Sequence, residues 1–370
     1  MIGPRSALFT PFENLGLIVI DEEHDTSYQS EMPPKYHARE VAIQRAKMVG
    51  ASVVLGSATP SVDSYYKALK GEYRLFELNE RAGNAVYPKI YIEDLREELK
   101  ARNYSIFSRK LDELMRDRLE KKEQIMLFLN RRGFAGFVSC RQCGEVVGCP
   151  HCSVALKPHM AGDRVSYLMC HYCGYKMPMP DKCPECGSPY ISSFGIGTEQ
   201  VEQMVKKRFS AAKVLRMDAD TTTGKNAHQD ILKKYSGGDA DILIGTQMIV
   251  KGHDFANVTL VGILAADLSL NVGDYLAAEK TFQLTTQACG RAGRADKPGD
   301  VVIQTYQPEH YSIVCAARND YKSFYEQEIL IREMLQYPPI SNILEVLVFS
   351  EKEEKAAMLA EVLKSKTISY

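Results

Sequence analysis

The chain has 370 residues, of which 45% are hydrophobic and 25% charged, which is enough apolar material for two or three globular domains. Lysine plus arginine (46) nearly balance aspartate plus glutamate (47), so any nucleic-acid surface would have to be a local basic patch. The first residues do not resemble a signal peptide, and no stretch approaches the roughly 18 apolar residues that span a bilayer. We therefore expect a cytoplasmic protein with no membrane partner.

The first predicted strand, Leu15 to Ile20, is a continuous apolar run, which is typical of a strand buried on both faces. It ends in the acidic sequence Asp21-Glu22-Glu23-His24. Carboxylates at the carboxyl end of a buried parallel strand lie where α/β folds bind ligands. In a nucleotide hydrolase one such acid holds Mg²⁺ through its water shell and another orients the attacking water, so Asp21 and Glu22 are candidates for these roles. The alternative is an ordinary polar loop after a strand.

A second unit of the same kind follows an amphipathic helix that is predicted over His37 to Val49. Its strand covers Ser52 to Leu55 and ends in Gly56-Ser57-Ala58-Thr59-Pro60. Alternating strands and helices predict a parallel α/β sheet. We assign residues 1–104 to a first lobe of this type.

Eight of the ten cysteines form four Cys-x-x-Cys pairs, after a helix predicted over Ser108 to Lys121 and a strand over Gln124 to Leu129. Two thiolates separated by two residues can hold one tetrahedral ion, and two such turns complete a structural zinc site. Four pairs therefore predict two structural Zn²⁺ ions. Disulfides are the alternative, but the cytosol keeps thiols reduced. The pairs are Cys140/Cys143, Cys149/Cys152, Cys170/Cys173 and Cys183/Cys186.

Loop lengths favour a nested grouping of these pairs. The gap between Cys152 and Cys170 fits the roughly 15 to 20 residue spacing of a zinc ribbon, so the second and third pairs are predicted to share one ion. The first and fourth pairs then share the other ion, which brings the ends of the block together, as an insertion requires. A cross-braced grouping, first with third and second with fourth, is the alternative. Cys289 and Cys315 stand alone and are expected to fill core space.

Strands and helices alternate again from near Phe194. Two later helices are predicted. One begins near Asp274, and the other spans Asn319 to Gln336. We expect an α/β fold whose second lobe spans 105–139 and 190–336, with a zinc-binding insertion at 140–189 and a further domain opening at 337–370. The later strands are predicted over Lys213 to Met217, Ile242 to Ile244, Val258 to Leu264 and Val301 to Thr305.

The polar turns after these strands and helices resemble motifs II, III, V and VI of superfamily 2 helicases. The matching sequences are Asp21–His24, Gly56–Pro60, Gly245–Asp254 and Gln287–Arg294. The resemblance implies two RecA-like motor lobes, the first one truncated, that bind ATP and Mg²⁺ between them. A surface turn rich in arginine and glycine is the alternative interpretation of the last motif.

The resemblance also implies roles for single residues. Gln287 would help place the attacking water, and Arg291 and Arg294 would reach the terminal phosphate, which a permanently charged planar guanidinium suits. His24 and the 57–59 turn would couple the nucleotide state to the position of the bound strand. In motif V, Gly252 and Asp254 would contact the nucleotide, and Thr246 and Lys251 would contact nucleic acid.

The tract from Asp25 to Glu40 narrows the resemblance, because it is similar to the aromatic-rich loop of the PriA family of bacterial replication-restart helicases. A block of four cysteine pairs inside the second lobe agrees with the same family. Further agreement comes from Asn130–Ala135, Gly195–Glu199, Met217–Asp220 and Tyr337–Pro339.

The aromatic-rich tract offers candidate nucleic-acid contacts. The chain lacks tryptophan, so Tyr28, Tyr36 and His37 are the candidates to stack on bases, while Lys35 and Arg39 are candidates to meet phosphates. Packing and solvation are the alternative role for such residues. Arg131 and Arg132 also have two alternative roles: they would either line a strand-binding groove or flank the zinc block.

The PriA resemblance implies part of an ATP-dependent 3′–5′ DNA helicase that acts in replication restart and primosome assembly at stalled or branched DNA. Its implied partners are branched or forked DNA with single-stranded regions, primosome proteins and single-stranded DNA-binding protein.

The 370 residues contain no phosphate-binding loop of the form Gly-x-x-x-x-Gly-Lys-Ser/Thr. The nearest sequence, at 223–226, lacks the magnesium-binding hydroxyl and the earlier glycine. We therefore expect a fragment without the Walker A motif and without most of the carboxy-terminal domain, which hydrolyses ATP poorly on its own. Two alternatives remain: a non-catalytic zinc-containing module that binds DNA or protein, and an RNA-directed helicase, which the zinc block and the aromatic tract disfavour.

Overall fold

The computed structural model describes residues 1–30, 32–78, 87–129, 136–152, 154–161, 164–194, 197–218, 220–224, 226–250, 255–271, 273–293, 297–344, 346 and 348–368. The chain divides into two compact units, residues 1–328 and 329–370. None of the helices in the described ranges combines the length and apolar character that a membrane crossing requires.

The secondary structure alternates strands and helices along most of the first unit. The strands are β1 (Leu17–Ile20), β2 (Ser52–Leu55), β3 (Lys89–Asp94), β4 (Gln124–Leu129), β5 (Phe137–Cys140), β6 (Lys157–Ala161), β7 (Arg164–Met169), β8 (Lys176–Pro178), β9 (Ile191–Phe194), β10 (Val214–Met217), β11 (Ile242–Gly245), β12 (Val258–Leu264) and β13 (Asp300–Thr305). The α-helices are α1 (Ala38–Val49), α2 (Val62–Leu69), α3 (Leu95–Lys100), α4 (Arg109–Glu120), α5 (Thr198–Arg208), α6 (Ala227–Ser236), α7 (Gln247–Val250), α8 (Ala277–Cys289), α9 (Tyr311–Arg318), α10 (Tyr321–Leu335) and α11 (Glu353–Ile368). Short 3-10 helices cover Arg5–Phe9, Thr26–Tyr28 and Ala266–Ser269.

A six-stranded parallel sheet forms the centre of the second lobe, in the order β10-β11-β4-β12-β13-β3. Every residue of β4, β11 and β12 is buried, as expected for parallel strands that are covered on both faces. Alternate residues of β4 face opposite sides: Leu127 packs in the cluster with Leu111 of α4, and Phe128 packs in the cluster with Ala288 of α8. All the strands predicted in this lobe are present, with ends displaced by at most one residue.

The first lobe contributes a smaller sheet, in which β1 and β2 pair in parallel. The prediction that the first strand is buried on both faces is wrong, because Leu17 and Val19 are 55% and 61% exposed and only Ile20 is buried. Within the described residues this sheet has two strands, and helix α1 packs on it. The face of β1 that carries Leu17 and Val19 is thus open.

Strand β3 lies in a different sheet from the one its position in the sequence suggested. It falls inside residues 1–104, which we assigned to the first lobe, but it pairs with β13 at the edge of the six-stranded sheet. Neither this strand nor helix α3 is among the elements predicted from the sequence. Its sequence, Lys-Ile-Tyr-Ile-Glu-Asp, is only half-buried and has charged ends, so it carries little of the apolar signal of a central strand.

The cysteine-rich insertion leaves and rejoins the second lobe at one place. Strands β5 and β9 pair antiparallel, with Phe137 opposite Phe194 and Cys140 opposite Ile191. Between them, β6, β7 and β8 form a three-stranded antiparallel sheet. The two ends of the insertion are therefore neighbours across a ladder of backbone pairing.

Candidate functional site between the lobes, and the cysteine clusters

The acidic turn after β1 lies directly beside the turn after β2. The Gly56 N–H donates to the Ile20 carbonyl at 2.8 Å, and the Glu23 N–H donates to the Gly56 carbonyl at 3.1 Å. Asp21 and Glu22 are exposed at this edge, and Glu22 has a left-handed backbone with φ 48°. The structure thus brings the motif II and motif III turns together and leaves two carboxylates accessible to a hydrated cation.

His24 joins three of the predicted motifs. Its Nδ1 lies 2.7 Å from Ser57 Oγ, and its Nε2 lies 2.9 Å from the side-chain amide nitrogen of Gln287. Because that amide donates, Nε2 accepts and Nδ1 carries the proton that is donated to Ser57. The two lobes therefore meet at a nearly buried imidazole, whose side chain is 5% exposed.

Buried oxygens at this junction lack hydrogen-bond partners among the described residues. They include Gln287 Oε1 and the Thr59 hydroxyl. Because buried polar groups are nearly always hydrogen-bonded, these two oxygens are consistent with a polar ligand between the lobes, where ATP is expected. The hydroxyl of Thr246, a predicted nucleic-acid contact that directly follows β11, is also buried without a partner among the described residues.

Arg39 does not have the role that the sequence analysis offered. Its guanidinium is buried, donating to Glu23 Oε2 at 2.9 Å and to Asp63 Oδ2 at 2.8 Å. Both carboxylates belong to the protein, so they neutralise the cation. The phosphate contact of Arg39 stays a prediction, and these two ion pairs count against it; the sequence position revealed the charge of Arg39 but not its partners.

The three candidate stacking rings are half-buried and make contacts within the protein. Tyr28 donates its hydroxyl to the Asp21 carbonyl at 2.7 Å, and the ring of Tyr36 packs edge-on against Phe9 at 5.3 Å. His37 caps helix α1 by accepting from a backbone N–H, and burial lowers the pKa of its imidazole. Base stacking by these rings stays a prediction.

Motif VI begins at the end of helix α8. Arg291 follows the helix and is half-buried. Gly293 has φ +68°, and a Cβ added there would lie 2.5 Å from the Gly299 backbone nitrogen, so the turn admits only glycine. Arg294, Lys251, Gly252, Asp254, Arg131 and Arg132 lie outside the described residues, and their predicted roles stay predictions.

Two polar residues of α8 that the sequence analysis did not single out also contact the first lobe. The Gln283 amide donates to the Thr59 carbonyl at 3.4 Å and to Glu279 Oε1 at 3.2 Å. Glu279 Oε1 also accepts from the Val62 N–H at 3.1 Å. With Gln287 these residues are spaced by four, so they lie on one helix face. That spacing of polar residues was the signal that sequence reasoning overlooked.

The eight predicted ligand cysteines form two groups, and the grouping is the nested one. Within each group the sulfur atoms all lie within 4.8 Å of one another. The first group is Cys140, Cys143, Cys183 and Cys186, and the second is Cys149, Cys152, Cys170 and Cys173.

The sulfur spacing in both groups fits a metal site. Sγ–Sγ distances are 3.6 Å for Cys140 and Cys186 and 3.5 Å for Cys149 and Cys173. A disulfide would need about 2 Å, whereas a tetrahedron with Zn–S bonds of about 2.3 Å has edges of roughly 3.8 Å. Backbone N–H groups of Cys173 and Tyr172 lower the pKa of the Cys170 thiol to about 7, whereas hydrogen bonding to Cys173 raises the pKa of the Cys152 thiol, so one thiolate of this group forms readily. The clusters are consistent with two structural zinc ions.

Comparison with known proteins gives the family. The family described as PriA DNA helicase Cys-rich region (CRR) domain matches residues 149–178, and the helicase conserved C-terminal domain matches residues 191–296. Replication restart protein PriA of Bacillus subtilis (strain 168) is 51% identical over 98% of the chain. The chain belongs to the PriA family. PriA of Synechocystis sp. is 45% identical over 100% of the chain, and PriA of Haemophilus influenzae is 42% identical over 92%.

The chain spans somewhat less than half the length of these PriA relatives: 44%, 46% and 46% of them, respectively. Membership of the PriA family agrees with the parallel sheet and with the helicase domain match over 191–296. The fold is accordingly α/β with RecA-like helicase lobes and a cysteine-rich insertion in the second lobe.

Proposed function

We propose that this chain is part of an ATP-dependent DNA helicase that moves 3′ to 5′ and acts in replication restart at stalled or branched DNA. The observation that carries the proposal is the contact between His24 of the acidic turn and Gln287 of the second lobe. A motor of this class works by changing the relation of its two lobes as nucleotide is bound and hydrolysed. A polar contact between motif II and motif VI is what such coupling needs.

The residues at this junction would have the following tasks. Asp21 would hold Mg²⁺ through water, and Glu22 would orient the attacking water and accept its proton. Gln287 would align the same water with its unpartnered Oε1. Arg291 and Arg294 would stabilise charge on the terminal phosphate. Bound ATP and Mg²⁺ would supply the phosphoryl group and neutralise its charge, with Gly252 and Asp254 as further contacts.

The two cysteine clusters would each hold one Zn²⁺ as scaffolding. All four positions of each tetrahedron would be filled by thiolates, which leaves no open site for catalysis. The insertion would then present a rigid surface for unwinding DNA and for primosome proteins and single-stranded DNA-binding protein. The nucleic-acid contacts that we still propose are Tyr28, Tyr36, His37, Thr246 and Lys251.

DNA-stimulated ATP hydrolysis by full-length PriA that contains these residues tests the enzymatic proposal. Glu22→Gln keeps the shape of the side chain but removes the base, so we expect turnover to fall by about 100-fold or more. Glu13→Gln, at an exposed position in the same lobe, is the matched control. Full turnover in the Glu22 variant would overturn the proposal.

We further propose that the 370 residues alone hydrolyse ATP poorly, since they contain no phosphate-binding loop sequence. ATP turnover by this chain that DNA stimulates and Glu22→Gln abolishes would contradict this proposal. It would still support the helicase assignment, because the same carboxylate would be required.

A non-catalytic zinc module that binds DNA or protein is the second candidate, and the missing phosphate-binding loop favours it for the chain in isolation. Fluorescence anisotropy of this chain with forked DNA, single-stranded DNA and single-stranded RNA separates the candidates. A helicase portion should prefer forked DNA and lose affinity with Tyr36→Ala. Equal binding of RNA would favour an RNA-directed motor instead.

A further inference from the structure

Helix α2 of the first lobe receives a carboxylate from each lobe at its amino terminus. The Ser61 N–H donates to Glu23 Oε1 at 2.6 Å, and the Val62 N–H donates to Glu279 Oε1 at 3.1 Å. The first N–H groups of a helix have no partner within the helix, and this end attracts negative charge. Glu23 is 1% exposed and Glu279 is 5% exposed, so both contacts are shielded from water.

We propose that Glu279 is a positioning residue of the motor, which sets where Gln287 stands against His24. Glu279 lies two turns before Gln287 on the same face of α8, a separation of about 12 Å along a helix that cannot stretch. When Glu279 accepts the hydrogen bond from Val62 of α2, the rigid helix also places the Gln287 amide opposite the His24 ring. The catalytic part of this inference rests on the proposed function, whereas the docking part does not.

The contact also favours one arrangement of the lobes over others. If α2 moved away from α8, Glu279 would lose the Val62 N–H while remaining beside Gln283. Removing a donor from a buried carboxylate is unfavourable, because the carboxylate oxygen loses a hydrogen bond that water cannot replace. Glu279 therefore favours the arrangement in which the two helices are in register.

Aromatic packing connects α2 and α8 through helix α10, independently of Glu279, because Phe282 of α8 stacks on Phe324 of α10 at 4.3 Å. Tyr65 of α2 packs edge-on against Tyr321 at 5.0 Å and against Tyr325 at 4.7 Å. Both partners belong to helix α10. Loss of the carboxylate should thus leave the lobes associated but loosen the register between α2 and α8, which separates positioning from general stabilisation.

Hydrogen–deuterium exchange of the 370-residue chain tests the docking directly. In Glu279→Ala we expect the Val62 amide to exchange about tenfold faster, because its acceptor is removed. Glu279→Gln keeps a carbonyl oxygen in place and should restore most of the protection. Glu199→Ala, on the exposed face of α5, is the control and should leave the Val62 amide unchanged.

Steady-state kinetics of full-length PriA with the same substitutions test the positioning. Glu279→Ala should lower kcat on the order of 100-fold, as expected for a misplaced catalytic group, while KM for ATP changes by less than about threefold. Glu279→Gln should recover much of kcat. If Glu279→Ala does not fold, Gln283→Ala removes the neighbouring contact to Thr59 and should give a smaller loss of the same kind.

The inference is overturned if Val62 exchange is unchanged in Glu279→Ala, or if exchange rises while kcat stays at the wild-type value. A rise in KM with unchanged kcat would also overturn it, since that pattern indicates nucleotide binding rather than positioning. Full activity in Glu22→Gln would instead refute the proposed function, and the exchange result would still decide whether Glu279 docks α2.

Discussion

The six-stranded sheet of the second lobe and the cysteine-rich insertion are stabilised by different interactions, although one is inserted into the other. Strands β4, β11 and β12 are buried along their whole length and are covered on both faces. Among the described residues, six form the buried cluster of the insertion, and two of them, Cys149 and Cys170, are zinc-ligand candidates. A segment of this size buries too little apolar surface to fold on that basis alone. The sheet therefore depends on its core and the insertion on its thiol clusters.

The largest expected effect is that of metal chelation, which should destabilise the insertion but not the six-stranded sheet. Structural zinc contributes on the order of 10 kcal/mol per site, so removing metal with a strong chelator should unfold β6, β7 and β8 while the six-stranded sheet remains. Hydrogen–deuterium exchange resolves the two regions in one experiment. Rapid exchange in β4 after chelation would contradict the independence of the sheet.

Losing a single ligand should affect one cluster only. Cys149→Ser should remove one zinc of two and spare the site built from Cys140, Cys143, Cys183 and Cys186. Metal analysis of the purified protein measures the stoichiometry, and Cys289→Ser, whose thiol is buried in the core of the lobe, is the control. Loss of both ions would argue that the clusters fold as one unit, and disulfides that persist in reductant would argue against zinc.

Phe128→Ala should destabilise the six-stranded sheet and leave the zinc sites intact. This side chain is fully buried in the sheet, and its truncation should lower the free energy of unfolding of the lobe by about 3–5 kcal/mol. Zinc stoichiometry should stay at two. Denaturant unfolding together with metal analysis makes the test, with the exposed Phe349→Ala as control, and a loss of zinc would link the two regions.

The buried carboxyl of Asp267 makes the free energy of unfolding of the second lobe depend on pH. It accepts from the Tyr306 N–H at 3.2 Å, and burial raises the pKa of its carboxyl to about 6. A raised pKa means that its stabilising contribution is present at low pH and is lost as pH rises through 6. From pH 5 to pH 8 the wild type should lose roughly 1.5 kcal/mol relative to Asp267→Asn, since about one unit of the shift lies above pH 5. Denaturant unfolding of both proteins at the two pH values checks this, and parallel curves would rule it out.

The smallest effect is expected for Tyr172→Phe. The exposed Tyr172, inside the second cluster's turn, donates to the Gly273 carbonyl of the lobe at 3.2 Å. Its removal should cost about 0.5–1 kcal/mol and should increase exchange near residue 273 without releasing zinc. Tyr66→Phe on helix α2 is the control. An effect as large as that of Phe128→Ala would mean that the insertion supports the lobe.

Sequence reasoning succeeded where a local pattern determines the structure. The sequences of β4 and β12 predicted strands of a parallel sheet, and the spacing between Cys152 and Cys170 predicted the nested grouping. Both signals lie within a short stretch of chain, and the physical requirement, strand periodicity or tetrahedral geometry, admits few alternatives.

It failed where the outcome depends on a distant partner. Val19 belongs to an apolar run, but its burial depends on what covers the sheet. Arg39 lies in an aromatic and basic tract, which does not reveal its ion pairs with Glu23 and Asp63. Glu279 contacts a residue 217 positions away; the spacing of polar residues on α8 marks the helix face, but it does not identify that partner.

The antiparallel pairing of β5 with β9 has a consequence for how such a motor can diversify. Since the two ends of the insertion are adjacent, a single genetic event could add or remove the whole segment without changing the order of strands in the sheet. A short turn joining residues 137 and 194 would suffice to close the gap. The sheet of the lobe and the metal-binding segment can therefore change independently of each other.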